Sequence, residues 1–139
     1  MKRDVTLTLK SEQIYSDSRD KNISTAHGTL ELTDDNICLI RYTEPDSEMA
    51  GCVSLVKVDS PDKIHLIRDG TYKADFIIEK GKTHKTLYRT PYIQAELEIT
   101  GKKVFFGMNE KGCCVMLQYI ITSNGEPLNE NKLTINAKY

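Results

Sequence analysis

Residues 64–78, Ile-His-Leu-Ile-Arg-Asp-Gly-Thr-Tyr-Lys-Ala-Asp-Phe-Ile-Ile, are the most informative part of this sequence for the fold class. Apolar and polar side chains alternate on both sides of Asp69-Gly70, which is the period of a half-buried β-strand. Asp-Gly between two such runs is a strong signal for a tight turn. The stretch therefore predicts a β-hairpin.

The length of the loop determines which residues pair across this hairpin. A two-residue loop would place Ile64 and Leu66 opposite charged side chains. A three-residue loop, 69–71, instead keeps the apolar residues on one face. Its pairs are Arg68–Tyr72, Leu66–Ala74 and Ile64–Phe76. We predict the three-residue loop, with Gly70 at a positive φ and Arg68 on the core-facing side near a barrel mouth.

Period-2 alternation recurs along the whole chain, and no stretch keeps an amphipathic helical stripe over three turns. The alternating segments are residues 5–10, 23–33, 37–44, 52–58, 64–68, 72–78, 86–90, 94–100, 104–108, 113–122 and 133–138. Turn formers such as Pro45-Asp46-Ser47 separate them. About ten short strands at this spacing predict an all-β, antiparallel up-and-down meander. Closure into a barrel of about 8–10 strands would hide its edges, and an open sandwich is the alternative.

Length and charge limit the classes of function. The 139 residues fit one domain, residues 1–139. Lys and Arg total 19 against 20 Asp and Glu, and this balance does not favour a nucleic-acid partner. No apolar run reaches the ~18 residues of a membrane span, and the amino terminus lacks the apolar core of a signal peptide. We expect a cytoplasmic protein with no membrane partner, in which the four cysteines stay reduced.

No motif points to an enzyme or a cofactor. The eight glycines form no phosphate-binding loop, and His27, His65 and His84 lack the spacing of metal ligands. Cys113 and Cys114 are adjacent, so on a strand they point to opposite faces and act as small apolar residues. We predict no cofactor, no metal and no catalytic residue.

Six motifs, in order along nearly the whole chain, resemble the YwiB-like family of small bacterial proteins. They are Val5-x-Leu7, Tyr42-Thr43-Glu44, Ile64-x-Leu66-x-Arg68-Asp69-Gly70, Tyr88-Arg89-Thr90-Pro91-Tyr92, Val115-x-Leu117-x-Tyr119-x-Ile121 and Asn131-x-Leu133-x-Ile135. One departure is Ile93, where the family usually has Gly after Thr-Pro-Tyr. The resemblance implies a calycin-like (lipocalin-type) β-barrel of unknown function, and it implies no reaction.

An arginine inside a barrel needs partners, because a lone buried charge is very costly. Glu44 is the natural partner of Arg68, and tyrosine hydroxyls complete the predicted network. The candidate site residues are Arg68, Glu44, Tyr42, Tyr72, Tyr88 and Tyr119. One interpretation is a pocket for a small anionic ligand, with Arg68 as a bidentate clamp. The other is a structural plug that closes one end of the barrel.

The segment 37–44 has two candidate inward faces. One is Ile37, Leu39, Arg41 and Thr43; the other, which the resemblance favours, is Cys38, Ile40, Tyr42 and Glu44. If the first face points inward, Arg41 replaces Glu44 inside and the ion pair with Arg68 does not form.

Two functions stay open at this point. The first is a barrel that binds a small ligand in its lumen or at its mouth, and it rests on an inward Arg68 among tyrosines. The second is a structural or protein-interaction module that acts as a homodimer. That expectation rests on about ten strand segments, more than an eight-stranded barrel needs, which would leave strands to add to another chain.

Overall fold

The computed structural model describes residues 2–45 and 51–139, which form ten strands and no helix. The strands are β1 (Lys2–Ile14), β2 (Arg19–Leu32), β3 (Cys38–Thr43), β4 (Val53–Ser60), β5 (Lys63–Asp69), β6 (Ala74–Glu79), β7 (Thr83–Arg89), β8 (Gln94–Asn109), β9 (Gly112–Ser123) and β10 (Glu126–Lys138). They make one sheet in the order β6-β5-β4-β3-β2-β1-β10-β9-β8-β7. All nine strand-to-strand ladders are antiparallel, which confirms the predicted all-β meander. In these two ranges no helix is long and apolar enough to cross a bilayer.

The two edge strands, β6 and β7, meet and nearly close the barrel. Lys73 and Arg89 exchange two backbone hydrogen bonds of 2.9 Å at one end of this junction. Farther along, Thr86 Oγ1 donates a hydrogen bond of 2.8 Å to the carbonyl oxygen of Asp75. The junction thus replaces a continuous ladder with a few bonds, and the predicted barrel is confirmed as a nearly closed one.

Gly101 completes the closure at the other end of the junction. Its carbonyl accepts from Gly81 N and its own N–H donates to Lys82 O, both at 3.0 Å. A Cβ at this position would overlap the carbonyl oxygen of Glu79 and lie 2.7 Å from its carbonyl carbon. Only a residue without a side chain lets the two backbones approach this closely.

The barrel core consists of the inward side chains of the strands. Fully buried members include Leu7, Leu30, Ile40, Ile64, Ile78, Ile99, Val115 and Ile135. Cys113 is buried and Cys114 half-buried, so the adjacent thiols do lie on opposite faces of the sheet. The predicted inward face of segment 37–44 is also confirmed: Cys38, Ile40 and Tyr42 are buried, whereas Arg41 is exposed, so the alternative face is wrong.

The predicted strand boundaries need two corrections. Residues 94–100 and 104–108 are parts of one strand, β8, with a bulge between Gly101 and Lys103 where a turn was expected. β1, β2 and β10 also extend beyond the predicted segments. Their added residues were not predicted as strand, because they alternate without an apolar face. The turn predicted at residues 45–47 lies, beyond Pro45, outside the described residues.

The β5–β6 hairpin has the predicted faces but a different register. The observed pairs are Arg68–Ala74, Leu66–Phe76 and Ile64–Ile78. The loop is therefore five residues, 69–73, and the three-residue prediction is wrong. A shift of two residues leaves every side chain on its own face, so alternation alone cannot detect it. Gly70 does adopt a positive φ, 147°, and a Cβ there would lie 2.9 Å from Cys52 Sγ.

Candidate functional site

Three neighbouring strands bring the centre of the candidate site together. Ser54 on β4 is the cross-strand partner of Tyr42 on β3 and of Arg68 on β5. Directly paired residues in an antiparallel sheet point to the same face. Because Tyr42 and Ser54 are buried in the interior, the guanidinium of Arg68 extends from the inner wall of the barrel.

Glu44 follows the end of β3 and is held in place by its backbone and its side chain. Its N–H donates to Cys52 O at 2.8 Å, which continues the pairing beyond the strand. Its Oε1 accepts a 2.6 Å hydrogen bond from Ser54 Oγ and lies 3.5 Å from Arg68 Nε. The predicted Arg68–Glu44 ion pair is therefore present, but the closer contact of the carboxylate is Ser54.

The guanidinium of Arg68 is partly buried and stays protonated. Its side chain is 23% exposed and that of Glu44 is 10% exposed. Burial works to lower the pKa of Arg68, but the neighbouring Tyr119, Glu44 and Tyr42 outweigh it and raise the pKa above its ordinary value. Within the described residues Arg68 makes this one ion pair, through Nε, so its two Nη groups are available as donors to a bound molecule.

Tyr42 and Tyr119 flank the guanidinium as buried, neutral phenols. Burial, followed by the charge of Glu44, raises the pKa of Tyr42. Burial also raises the pKa of Tyr119, although the positive charge of Arg68 opposes it. Both hydroxyls therefore stay protonated and keep a proton to donate at neutral pH.

Aromatic rings surround this group. The ring of Phe76 lies 5.8 Å from that of Tyr88 and 6.4 Å from that of Tyr119, centroid to centroid. Tyr72 lies in the five-residue loop, 6.5 Å from Tyr88, and does not line the cavity described next. Of the six residues predicted for the site, five therefore line one cavity. Tyr72 lies outside it, next to Tyr88.

An open cavity of about 860 Å³ occupies this end of the barrel. Arg68, Glu44, Tyr42, Tyr88 and Tyr119 line it, together with the apolar side chains of Leu9, Phe76, Ile93, Ala95, Leu97, Ile121, Leu128 and Leu133. Its hydroxyl and amide side chains are Ser11, Gln13, Asn22, Ser24, Ser123, Asn129 and Asn131. Its other charged residues are Glu12, Asp20, Lys21 and Lys132, two of each sign.

Three further residues matter at this site and were not predicted from the sequence: Ser54, Phe76 and Asn131. Ser54 and Asn131 are buried polar residues at inward positions of β4 and β10. Asn131 Nδ2 donates a 2.7 Å hydrogen bond to Asn129 Oδ1. A polar residue interrupting an apolar face was the available signal for Ser54, whereas Asn131 follows Asn129 in a part of β10 that is polar on both faces. Phe76 carried no signal, because a core phenylalanine and a cavity-lining one look alike in sequence.

A family model described as a domain of unknown function, DUF1934, matches residues 7–135. The chain belongs to the DUF1934 family. The crystal structure of the ywiB protein from Bacillus subtilis is similar to this DUF1934 barrel, with a TM-score of 0.86 and 18% sequence identity. The match covers 99% of this chain and 92% of the other. It confirms the resemblance drawn from the motifs, and at this identity it bears on the fold of the DUF1934 chain alone. A search of curated proteins finds no match.

Proposed function

We propose that this chain is a small-ligand-binding β-barrel that holds an anionic ligand against Arg68. The observation that carries the proposal is a partly exposed guanidinium on the wall of an open 860 Å³ cavity. Ligand pockets are typically concave, roughly 300–1,000 Å³, and mostly apolar with a few polar groups. A plug that merely closed the barrel would leave no such space beside the arginine.

The contacts of Arg68 support an anion rather than a cation. Glu44 is anchored by Ser54 at 2.6 Å and reaches Arg68 only at 3.5 Å. A carboxylate, sulfonate or phosphate can therefore bind the Nη groups without displacing Glu44. Guanidinium–oxyanion contacts of this kind are among the stronger hydrogen bonds in proteins.

We also propose a cytoplasmic location and a calycin-like classification for the barrel. Four free cysteines, three of them buried, fit a reducing compartment. An up-and-down barrel with an open end is the arrangement that lipocalin-type proteins use to hold one small ligand.

A matched pair of fluorescent probes tests the role of Arg68. 8-Anilinonaphthalene-1-sulfonate is an anion, and N-phenyl-1-naphthylamine is the same ring system without the sulfonate. We expect the anion to bind more tightly, and Arg68→Gln to weaken the anion about 10–100-fold while changing the neutral probe little. Fluorescence titration gives both dissociation constants.

Arg68→Lys serves as the control, because it keeps the charge and loses the planar fork. It should retain part of the preference for the anion. Thermal melting of each variant shows whether the fold is intact. Equal binding of the two probes to the unmodified protein, or an unchanged anion affinity in folded Arg68→Gln, would contradict the proposal.

The alternative function is a homodimeric interaction module. All ten strands belong to the one sheet, so a surplus strand no longer supports it. An exposed apolar pair supports the homodimer instead. Phe105 on β8 and Met116 on β9 are cross-strand partners, and their side chains are 49% and 47% exposed. Such surface often marks contact with another protein.

Sedimentation velocity over a wide concentration range tests self-association. A dimer that dissociates when Phe105→Ser and Met116→Ser are combined would support the alternative. Leu87→Ser, at a side chain 44% exposed on β7, is the matched control and should leave the dimer intact. A monomer at every concentration would exclude it.

A further inference from the structure

The cavity has two unlike walls, and the strand order places them opposite each other. In a closed ring of ten strands, strands five places apart in the sheet order lie across the lumen. By this order β5 faces β10, β6 faces β1, and β7 faces β2. The side chains that line the cavity from these strands differ in chemistry.

The wall of β5, β6 and β7 combines one cation with flat rings. Arg68 contributes the guanidinium, while Phe76 and Tyr88 contribute rings whose centroids are 5.8 Å apart. Tyr119 on β9 extends this aromatic surface toward β10, with its ring 6.4 Å from that of Phe76 and with Asn131 as its cross-strand partner. Aromatic rings in contact favour further rings packed offset or edge-on against them, beyond the area they bury.

The wall of β10, β1 and β2 is polar instead: it presents uncharged hydrogen-bonding groups, together with the charged Glu12, Asp20, Lys21 and Lys132, of which the last three are exposed. Asn129 and Asn131 come from β10, Ser11 from β1, and Ser24 from β2. Asn131 is buried and donates through Nδ2 to Asn129 Oδ1. That arrangement leaves the Oδ1 of Asn131 as an acceptor for a ligand hydroxyl or N–H.

We infer that the ligand is a flat, conjugated carboxylate with a hydrogen-bond donor at the end opposite its carboxylate. This inference rests on the proposed function and specifies its ligand class. The carboxylate meets Arg68, the ring lies against Phe76, Tyr88 and Tyr119, and the distal donor reaches Asn131. A flexible aliphatic acid satisfies only the first of these contacts.

Three probes, each displacing bound 8-anilinonaphthalene-1-sulfonate, test the inference. They are 6-hydroxy-2-naphthoate, 2-naphthoate and decanoate, which share a carboxylate and differ in ring and distal hydroxyl. We expect 2-naphthoate to bind at least about tenfold more tightly than decanoate, and the hydroxyl to add a further few-fold.

Two substitutions assign the effects to the walls. Phe76→Leu should reduce the advantage of 2-naphthoate over decanoate, whereas Phe105→Leu, on the outer face, should not. Asn131→Leu should abolish the advantage of 6-hydroxy-2-naphthoate and leave 2-naphthoate unchanged. If Asn131→Leu does not fold, Asn129→Ala replaces it, because Asn129 accepts the bond that orients the Asn131 amide.

The outcomes separate the two claims. If none of the three carboxylates displaces the probe, both the proposed function and this inference fail. If decanoate binds as tightly as 2-naphthoate and both depend on Arg68, the anion site stands and the flat-ring inference is overturned. An advantage of the hydroxyl that survives Asn131→Leu, or Asn129→Ala where that replaces it, would overturn the assignment of the distal contact.

Discussion

Gly112→Ala is expected to destabilise the barrel by about 3–4 kcal/mol, a large part of the stability of a domain of this size. Gly112 opens β9 with φ of 149°, a backbone conformation that L-residues rarely adopt. A Cβ there would also overlap the carbonyl oxygen of Ala137 and lie 2.9 Å from its carbonyl carbon. Neither atom can move without breaking the β9–β10 ladder. Urea unfolding measures the loss, and the melting temperature should fall by about 10–15 °C.

Gly125→Ala is the matched control for this result. Gly125 lies in the turn between β9 and β10 with φ of 82°, and a Cβ there would meet nothing within 4 Å. Its replacement carries the conformational cost alone, about 1 kcal/mol. Equal losses in the two variants would mean that φ, and not the approach of the β10 backbone, explains the requirement for glycine at position 112.

The sequence predicted the faces of the strands better than their register or length. Alternation is a local property, so Leu66 and Arg68 were assigned inward correctly, and the same was true of Ile40 and Tyr42. Register depends on loop geometry, and a shift of two residues at Arg68 left the pattern unchanged. The bulge at Gly101 was also predicted as a turn, because a glycine followed by lysines is typical of both structures.

The strand lengths at the open end of the barrel were predicted wrongly for a different physical reason. There the inward positions of β1, β2 and β10 carry Ser11, Ser24 and Asn131, which line the cavity. With polar side chains on both faces, these segments lose the contrast that identifies a strand. The missing signal is itself a property of a barrel whose end is open and polar inside.

The centre of the candidate site followed from one electrostatic requirement. An inward arginine needs a carboxylate, and Glu44 is the acidic residue at the end of the neighbouring inward face. Ser54, which makes the shorter contact with that carboxylate, depends on the pairing of β4 between β3 and β5, which no local pattern reveals. Tyr72 was misplaced because the longer hairpin loop carries it away from Arg68.

Stability is expected to fall steeply above about pH 10, because two tyrosines are held neutral in the folded barrel. Burial raises the pKa of Tyr42 and of Tyr119 above the ordinary value of 10.0. Above that value the unfolded chain releases both protons while the folded chain keeps them, so rising pH favours unfolding. The stabilisation is complete below pH 10 and decreases as the pH approaches the folded pKa values.

The difference in the slope of unfolding free energy against pH between variants measures the contribution of each tyrosine. Each tyrosine that stays protonated only in the folded state lowers the free energy of unfolding by about 1.4 kcal/mol per pH unit, so the pair lowers it by about 2.7. Urea unfolding at a series of pH values measures the slope, and tyrosinate absorbance follows the ionisation. Tyr42→Phe should reduce the slope by about 1.4 kcal/mol per pH unit, and Tyr92→Phe, at a side chain 87% exposed, should leave the profile unchanged.

Glu44→Gln provides an independent check on the cause. After burial, the charge of Glu44 is the largest contribution that raises the pKa of Tyr42. Neutralising it should lower that pKa and move the loss of stability at Tyr42 to a narrower pH range, while Tyr119 is unaffected. Because Glu44 also pairs with Arg68, the same substitution removes a charge contact at neutral pH. The Glu44→Gln barrel should therefore be less stable near pH 7 but less sensitive to alkali, and a profile parallel to that of the unmodified protein would show that the tyrosines do not share the field of the Arg68–Glu44 pair.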